Sequence, residues 1–370
     1  MPVATVNALD HLDRTQLAAL VLEHLLAGHL IDRSAMPQVM ARFGNDAMRD
    51  VAIDEWMGAS PVYTRRMQRL LRMEGDDVET MFKNLQFDIG SPPQYMDFRF
   101  AVHDRDHGEF WLASCGALLD VEPMGDELVT MMCHAIEDPT FDATACAVNP
   151  KARVRPIHRP PRQPADRHPH CHWTVTIDEA HEPLGEPAPA RRIGATKAAA
   201  LPIAGSASGV IAGADGRDEP GRRDYAGPLE QDLDLTQFSG SVLRAVSDEV
   251  CLQGHLLAMS ALAAVEDRFG AEAAKEIGHQ QLIGVGGVVA ERLCRGFGLG
   301  GGPEAIAAVL DLHPALRPRS YAAFRVELDG EQLTLHLDPC TALDEERELT
   351  WPMLVCEDHR SLDAIVHGVD

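Results

Sequence analysis

Arg42-Phe43-Gly44 occurs a second time in the chain as Arg268-Phe269-Gly270, at an offset of 226 residues (from 42 to 268). The same offset, without a gap, carries further residues onto identical ones over about eighty positions. These further pairs are Glu23 and Glu249, His29 and His255, Gly58 and Gly284, Pro92 and Pro318, Tyr95 and Tyr321, and Phe98-Arg99 and Phe324-Arg325. We interpret this as a duplication of one unit. The alternative is a chance match between two similar helix-then-hairpin units.

Each copy begins with apolar residues at helical spacing and then changes to the alternation typical of strands. In the first copy we expect helices over 16–43, 46–56, 60–73 and 76–85, then strands over 95–102, 109–114 and 128–134. In the second copy we expect helices over 241–268, 271–296 and 303–312, then strands over 321–328, 331–337 and 350–356. Helices followed by an antiparallel hairpin predict an α+β fold. The chain is therefore expected to hold two tandem units, each a helical subdomain followed by a small antiparallel sheet.

The composition changes between the two copies. Residues 181–228 are rich in Pro, Gly, Ala and Arg and hold few large apolar side chains, which is typical of a flexible linker. We therefore divide the chain into a first unit with a Pro/His-rich extension (1–180), a linker (181–232) and a second unit (233–370). Within the extension, Trp173–Ile177 is predicted to form a closing strand.

The chain is acidic, with 33 Lys+Arg against 57 Asp+Glu and a net charge of −24 over 370 residues. This charge argues against nucleic acid or an anionic membrane as the partner. No apolar run approaches the ~20 residues that span a bilayer, and the N-terminus lacks the pattern of a secretory signal. We expect a cytoplasmic protein that acts on a small molecule. A homo-oligomer and a subunit of a larger assembly both stay open.

The chain holds 17 His and 8 Cys, and none of the cysteines falls in a CxxC motif. One His and two Cys recur in both copies, and we expect each set to converge where helices meet the sheet. These six candidate metal ligands are His29, Cys115, Cys133, His255, Cys340 and Cys356. Zn²⁺ suits such a set, with iron or an Fe–S cluster as alternatives. The competing interpretation is that each Cys is a small buried apolar residue.

Three residues of the first copy are candidates for proton transfer. His134 and Asp142 lie in the segment 133–142, which combines a thiol, an imidazole and several carboxylates. Glu55 lies on a helix, and the second copy has Gln281 in its place, so the charge is lost there. The competing interpretations are a helix N-terminus after Cys133 and a solvated helix face at Glu55.

Three further histidines, His168, His170 and His172, stand near the end of the extension. Because alternate strand residues share one face, His170 and His172 are candidates to hold a metal between them. A solvated loop is the alternative.

The pattern of helices followed by a small sheet with paired cysteines resembles the L-2-amino-thiazoline-4-carboxylate hydrolase-like family. The resemblance rests on His29, Cys115, Cys133 and their three counterparts, and covers 1–150 and 240–370 with one copy in each half. It implies hydrolytic ring opening or amide-bond cleavage on a small heterocyclic or carboxylate substrate.

From these residues we predict a metal-dependent hydrolase of a small heterocyclic, amide or carboxylate substrate, in which metal-bound water is the nucleophile. The first copy holds the extra polar groups and is expected to be the active one. The alternatives are a non-catalytic protein that binds a metal or a small ligand, and a redox or Fe–S protein.

Overall fold

The computed structural model describes residues 4–205, 211, 219–347 and 349–370. Its helices are α1 Ala8–His11, α2 Arg14–Phe43, α3 Asn45–Leu70, α4 Val78–Leu85, α5 Gly116–Val121, α6 Asp126–Thr130, α7 Glu137–Cys146, α8 Ala188–Gly194, α9 Gly240–Phe269, α10 Ala271–Phe297, α11 Pro303–Leu312, α12 Trp351–Glu357 and α13 Arg360–His367. Its strands are β1 Ala4–Thr5, β2 Met96–Val102, β3 His107–Cys115, β4 Ala152–His158, β5 Cys171–Ile177, β6 Phe324–Asp329 and β7 Gln332–Leu337. The predicted α+β class is confirmed.

The ends of α2 show why the chain forms this helix here. Asp13 and Gln16 form a capping box, in which each side chain accepts a hydrogen bond from the other residue's backbone N–H. The helix ends at Gly44, whose φ of 88° suits glycine because it has no Cβ to clash. Gly270 has the same φ between α9 and α10. Both long helices are therefore stopped by glycine and followed at once by a second long helix.

The predicted break between helices 46–56 and 60–73 is wrong, because α3 continues through Pro61. Ser60 and Pro61 are therefore interior residues, not an N-cap and first turn. Gly58, Ala59 and Ser60 are buried, and α3 packs along α9. Tertiary packing of this face outweighs the local preference of proline for a helix start.

The structure contains two small antiparallel sheets, with strand orders β2-β3-β5-β4 and β1-β6-β7. The predicted closing strand at 173–177 is confirmed as β5. The predicted strands at 128–134 and 350–356 are wrong, because both segments are helical: α6 continues into a π-helical turn, Met131–Ile136, and 351–357 form α12. Periodicity alone does not separate a short apolar strand from a buried helix. At α12 the Thr350 side chain caps the helix by accepting a hydrogen bond from Met353 N–H (3.3 Å).

The two halves contact each other through equivalent residues. α2 and α9 have bounds that differ by the same offset of 226 residues at both ends. The ring of Phe43 stacks on that of Phe269, with centroids 3.8 Å apart. Reciprocal contacts between equivalent positions are typical of a two-fold arrangement. They support the duplication, which stays a prediction.

Part of the predicted linker packs against the first half. Helix α8 contacts α3, and Ala190, Ile193 and Tyr225 are buried. Residues 206–210 and 212–218 of the predicted linker lie outside the described residues. Over the ranges that the structure describes, no helix has the length and apolar character needed to cross a bilayer.

Candidate functional site

A cavity of about 260 Å³ lies in the first half, between α2, α3, the four-stranded sheet and the segment 124–144. We call it the His29 cavity. Its lining is largely apolar and includes six methionines, which adapt easily to irregular shapes. These are Met36, Met40, Met48, Met96, Met124 and Met132. Such a lining is typical of a small-molecule site, although the volume is near the lower end of the ~300–1,000 Å³ range.

One face of α2 supplies the polar end of the cavity. His29, Asp32 and Arg33 line it, and Met36 and Met40 continue the same face. Spacings of three and four residues bring these side chains together on a helix. Arg33 forms an ion pair with Asp120, so its charge is already compensated. The uncompensated polar groups at this end are therefore His29 and Asp32.

His29 is buried, and neither ring nitrogen makes a hydrogen bond within the described part of the chain. Burial lowers its pKa to about 4, although the negative charge of Asp32 opposes this. The imidazole is therefore neutral at pH 7. Its ring packs 5.2 Å from the ring of Tyr95, which fixes its position on the cavity wall. Because a buried polar group without a partner destabilises the fold, this ring is suited to a ligand that supplies the missing hydrogen bond.

Glu55 lies behind this wall and is fully buried. Both carboxyl oxygens lack a conventional donor among the described residues. Burial, followed by the negative charge of Asp32, raises the pKa of Glu55 well above its usual range. Glu55 is therefore protonated at neutral pH, and Asp32 is the neighbouring carboxylate. Two carboxyl groups that ionise at different pH values are suited to proton transfer.

Glu137 is a second buried acid and lines the opposite part of the cavity. Burial raises its pKa to about 8, while the positive charge of Arg159 opposes the shift. Three thiols lie near enough to feel its charge, and burial raises the pKa of each: Cys115 to about 12, and Cys133 and Cys171 well above the usual range. Neutral thiols are poor nucleophiles, so this arrangement favours packing for the cysteines.

The structure brings only part of the predicted metal set together. His29 and Cys115 line the cavity, and Cys133 is buried on the π-helical turn, not at a strand end. In the described ranges, the one group of three or more potential ligands with atoms within 4.8 Å of one another is His103, His107 and Glu109. The predicted set is not brought to ligand distance. Cys115 instead caps α5, where its Sγ accepts a hydrogen bond from Leu118 N–H (3.3 Å).

The second predicted set is further apart in role. His255 is buried, and its Nε2 lies 2.7 Å from the Arg317 carbonyl oxygen. Trp351 packs on its ring, with centroids 5.2 Å apart. Cys340 precedes a short 3₁₀ turn, and Cys356 is exposed on α12.

Two predicted catalytic residues have structural partners instead. His134 Nε2 lies 2.6 Å from the Pro160 carbonyl oxygen. Asp142 accepts hydrogen bonds from Val154 N–H and from Arg155, both at 2.9 Å, and so ties α7 to β4. Neither residue lines the His29 cavity.

The predicted pairing of His170 and His172 is not observed. His170 is buried, and its Nδ1 accepts a hydrogen bond from Cys115 N–H (3.0 Å). His172 lies on the outer face of the sheet, where its Nε2 is 2.8 Å from Glu109 Oε2. The strand begins at Cys171, so the strand alternation does not extend to His170.

Sequence reasoning missed Asp32 and Glu137. Asp32 stands three residues after His29, and this helical spacing is a signal that could have found it. The burial of Glu137 had no comparable signal, because it follows from the packing of α7 against α3.

Glu137→Gln is expected to flatten the pH dependence of stability above pH 5. The folded-state pKa of about 8 lies above the usual 4.5, so the protonated carboxyl stabilises the fold fully below pH 4.5. This contribution, a few kcal/mol in size, is lost as the pH rises through 8. Urea unfolding at pH 5 and pH 9 measures it, with exposed Glu127→Gln as the control. An unchanged slope in Glu137→Gln would contradict the assignment.

No protein-family model, no curated protein and no solved structure matches this chain.

Proposed function

We propose that the first half of the chain binds a small, largely apolar molecule in the His29 cavity, with one hydrogen-bonding group of that molecule held by His29. The observation that carries this proposal is the buried imidazole without a partner on the wall of an otherwise apolar cavity. A neutral imidazole donates from one nitrogen and accepts at the other, so a hydroxyl or an amide would satisfy it.

The equivalent place in the second half supports this proposal. There Trp351 packs on His255, and its Nε1–H donates a hydrogen bond to Gln281 Oε1 (3.1 Å). Gln281 corresponds to Glu55 at the offset of 226 residues. The second half thus fills, with its own indole, the position that a ligand would occupy in the first. We therefore expect one binding site per chain.

The charges around the cavity restrict the ligand. Asp32 and Asp88 line the wall, and the one lining arginine, Arg33, is paired with Asp120. Since an anion would face uncompensated carboxylates, we expect a neutral or cationic ligand.

A second candidate is hydrolysis in the same cavity, which the shifted pKa values favour because such groups cluster at active sites. Asp32 would accept a proton from water and protonated Glu55 would donate one. Metal-bound water, predicted from the sequence, gains no support from the distances among His29, Cys115 and Cys133, and stays a prediction.

The binding proposal is tested by filling the cavity. Leu128 lines it and corresponds to Trp351 when Cys133 and Cys356 are aligned. We expect Leu128→Trp to lower the affinity for the apolar fluorophore 1-aminoanthracene at least tenfold, since the indole would take the ligand's volume.

Leu128→Met is the matched control and should bind the fluorophore as the wild type does. Quenching of Trp56, whose ring lines the cavity, reports that the fluorophore has entered. Unchanged binding and quenching in a folded Leu128→Trp protein would exclude the His29 cavity as the site. Turnover of an amide panel by the wild type, lost in Glu55→Gln with binding retained, would favour hydrolysis over simple binding.

A further inference from the structure

The outer face of the four-stranded sheet carries a cluster of imidazole and carboxylate groups away from the His29 cavity. Along β3, Phe110 and Leu112 point into the core, so His107, Glu109 and Trp111 alternate onto the outer face. The neighbouring strands add further histidines there: His172 on β5 is paired in register with Trp111, and His158 on β4 with His172.

His103, His107 and Glu109 present one ligand atom each within 4.8 Å of one another. His103 Nε2 lies 3.4 Å from Glu109 Oε1. Two ligands bound to one zinc ion at ~2.1 Å in tetrahedral geometry are about 3.4 Å apart, so this pair already has the required separation. The two imidazole centroids are 4.8 Å apart, so a small movement of side chains would bring His107 to the same ion.

The hairpin turn holds these ligands in place. The His107 carbonyl oxygen accepts hydrogen bonds from His103 N–H (3.0 Å) and Asp104 N–H (3.1 Å). Within the turn, Asp104 Oδ1 accepts a hydrogen bond from Asp106 N–H (2.8 Å). The two histidines therefore stand on opposite sides of a closed turn, at the same end of the sheet as Glu109.

His172 orients the carboxylate. Its Nε2 lies 2.8 Å from Glu109 Oε2, so Oε1 is left to face His103 and His107. Trp111 packs edge-on against the His172 ring, with centroids 5.6 Å apart. Ligating carboxylates in metalloproteins are commonly held by such an outer hydrogen bond.

We propose that His103, His107 and Glu109 form a binding site for a divalent transition-metal ion, with Zn²⁺ as the first candidate, and that His172 is a positioning residue for Glu109. Two imidazoles and one carboxylate are a donor set that zinc accepts. Three protein ligands leave a coordination position open to water. The site differs from the Cys-containing sets predicted from the sequence, and it does not depend on the proposed ligand of the His29 cavity.

Isothermal titration of the full chain with ZnCl₂, after removal of any purification tag and dialysis against EDTA, tests the proposal. We expect one zinc ion per chain. His103→Gln, His107→Gln and Glu109→Gln should each weaken binding at least tenfold, and His172→Phe by ~10–100-fold through the loosened carboxylate. His367→Gln, which changes an exposed histidine of α13, should leave binding unchanged.

Replacing zinc with Co²⁺ separates this site from the predicted cysteine sets. Binding through nitrogen and oxygen gives visible d–d bands without an intense thiolate-to-cobalt charge-transfer band. Such a charge-transfer band would place the ion on cysteine and overturn the proposal. Absence of zinc binding to the wild type, or equal binding by wild type and folded His103→Gln/His107→Gln protein, would overturn it as well.

Discussion

Arg66→Met is expected to lower the free energy of unfolding by about 3–5 kcal/mol, because it leaves the buried Glu249 carboxylate without its partner. The Arg66 and Glu249 side chains are only 6% and 8% exposed and form a two-point ion pair between α3 and α9. Arg66 also donates to the carbonyl oxygens of Ala199 and Leu201, both at 2.8 Å. The change therefore removes three sets of buried hydrogen bonds at once.

The chain supplies its own matched control. Arg292 and Glu23 occupy the equivalent positions in the opposite sense and form a similar two-point pair. Their side chains are 32% and 19% exposed, so water compensates for the loss of either partner. Arg292→Met should lower the free energy of unfolding by only about 0–1 kcal/mol.

Urea unfolding at pH 7 measures both variants. Arg66→Met/Glu249→Leu should recover much of the loss, since no buried charge then remains without a partner. Equal losses for Arg66→Met and Arg292→Met would show that burial does not distinguish the two pairs.

Trp351→Ala is expected to lower the free energy of unfolding by about 3–5 kcal/mol and to open a new cavity in the second half. Trp351 is only 2% exposed, packs on His255 and donates to Gln281. Removing the indole deletes buried apolar contacts and leaves the Gln281 carbonyl oxygen without this donor.

Two comparisons separate these effects. Trp351→Phe keeps most of the packing and removes the indole N–H, so its loss should be about 1–3 kcal/mol. If the second half is a filled version of the His29 cavity, 1-aminoanthracene should bind Trp351→Ala at a second site, with two bound per chain. A single site in a folded Trp351→Ala protein would contradict the equivalence of the two positions.

The long helices could be predicted well because their signals are local. Apolar spacing placed 241–268 and 271–296 within one residue of α9 and α10, and the hairpin alternation located β2 and β3 closely. The segments 128–134 and 350–356 could not be assigned, because a short apolar run fits a strand and a buried helix equally.

The candidate site was only partly predictable for a similar reason. His29, Cys115 and Glu55 were singled out by their positions in the repeat, and the structure places all three at or behind one cavity. His134 and Asp142 were singled out by composition alone. Their neighbours β4 and the segment after it lie ten or more residues away in sequence, and only the folded chain shows that they are the hydrogen-bond partners.

From the order of its residues alone, the chain specifies an α+β fold and the repeated pattern of helix and hairpin, because periodicity and glycine stops act over a few residues. Tertiary structure decides which copy has an open cavity, since this depends on whether Trp351 or Leu128 faces the conserved position of the imidazole in each half. It also decides the outer cluster of His103, His107 and Glu109, because strand register, not sequence spacing, brings His172 to the same carboxylate.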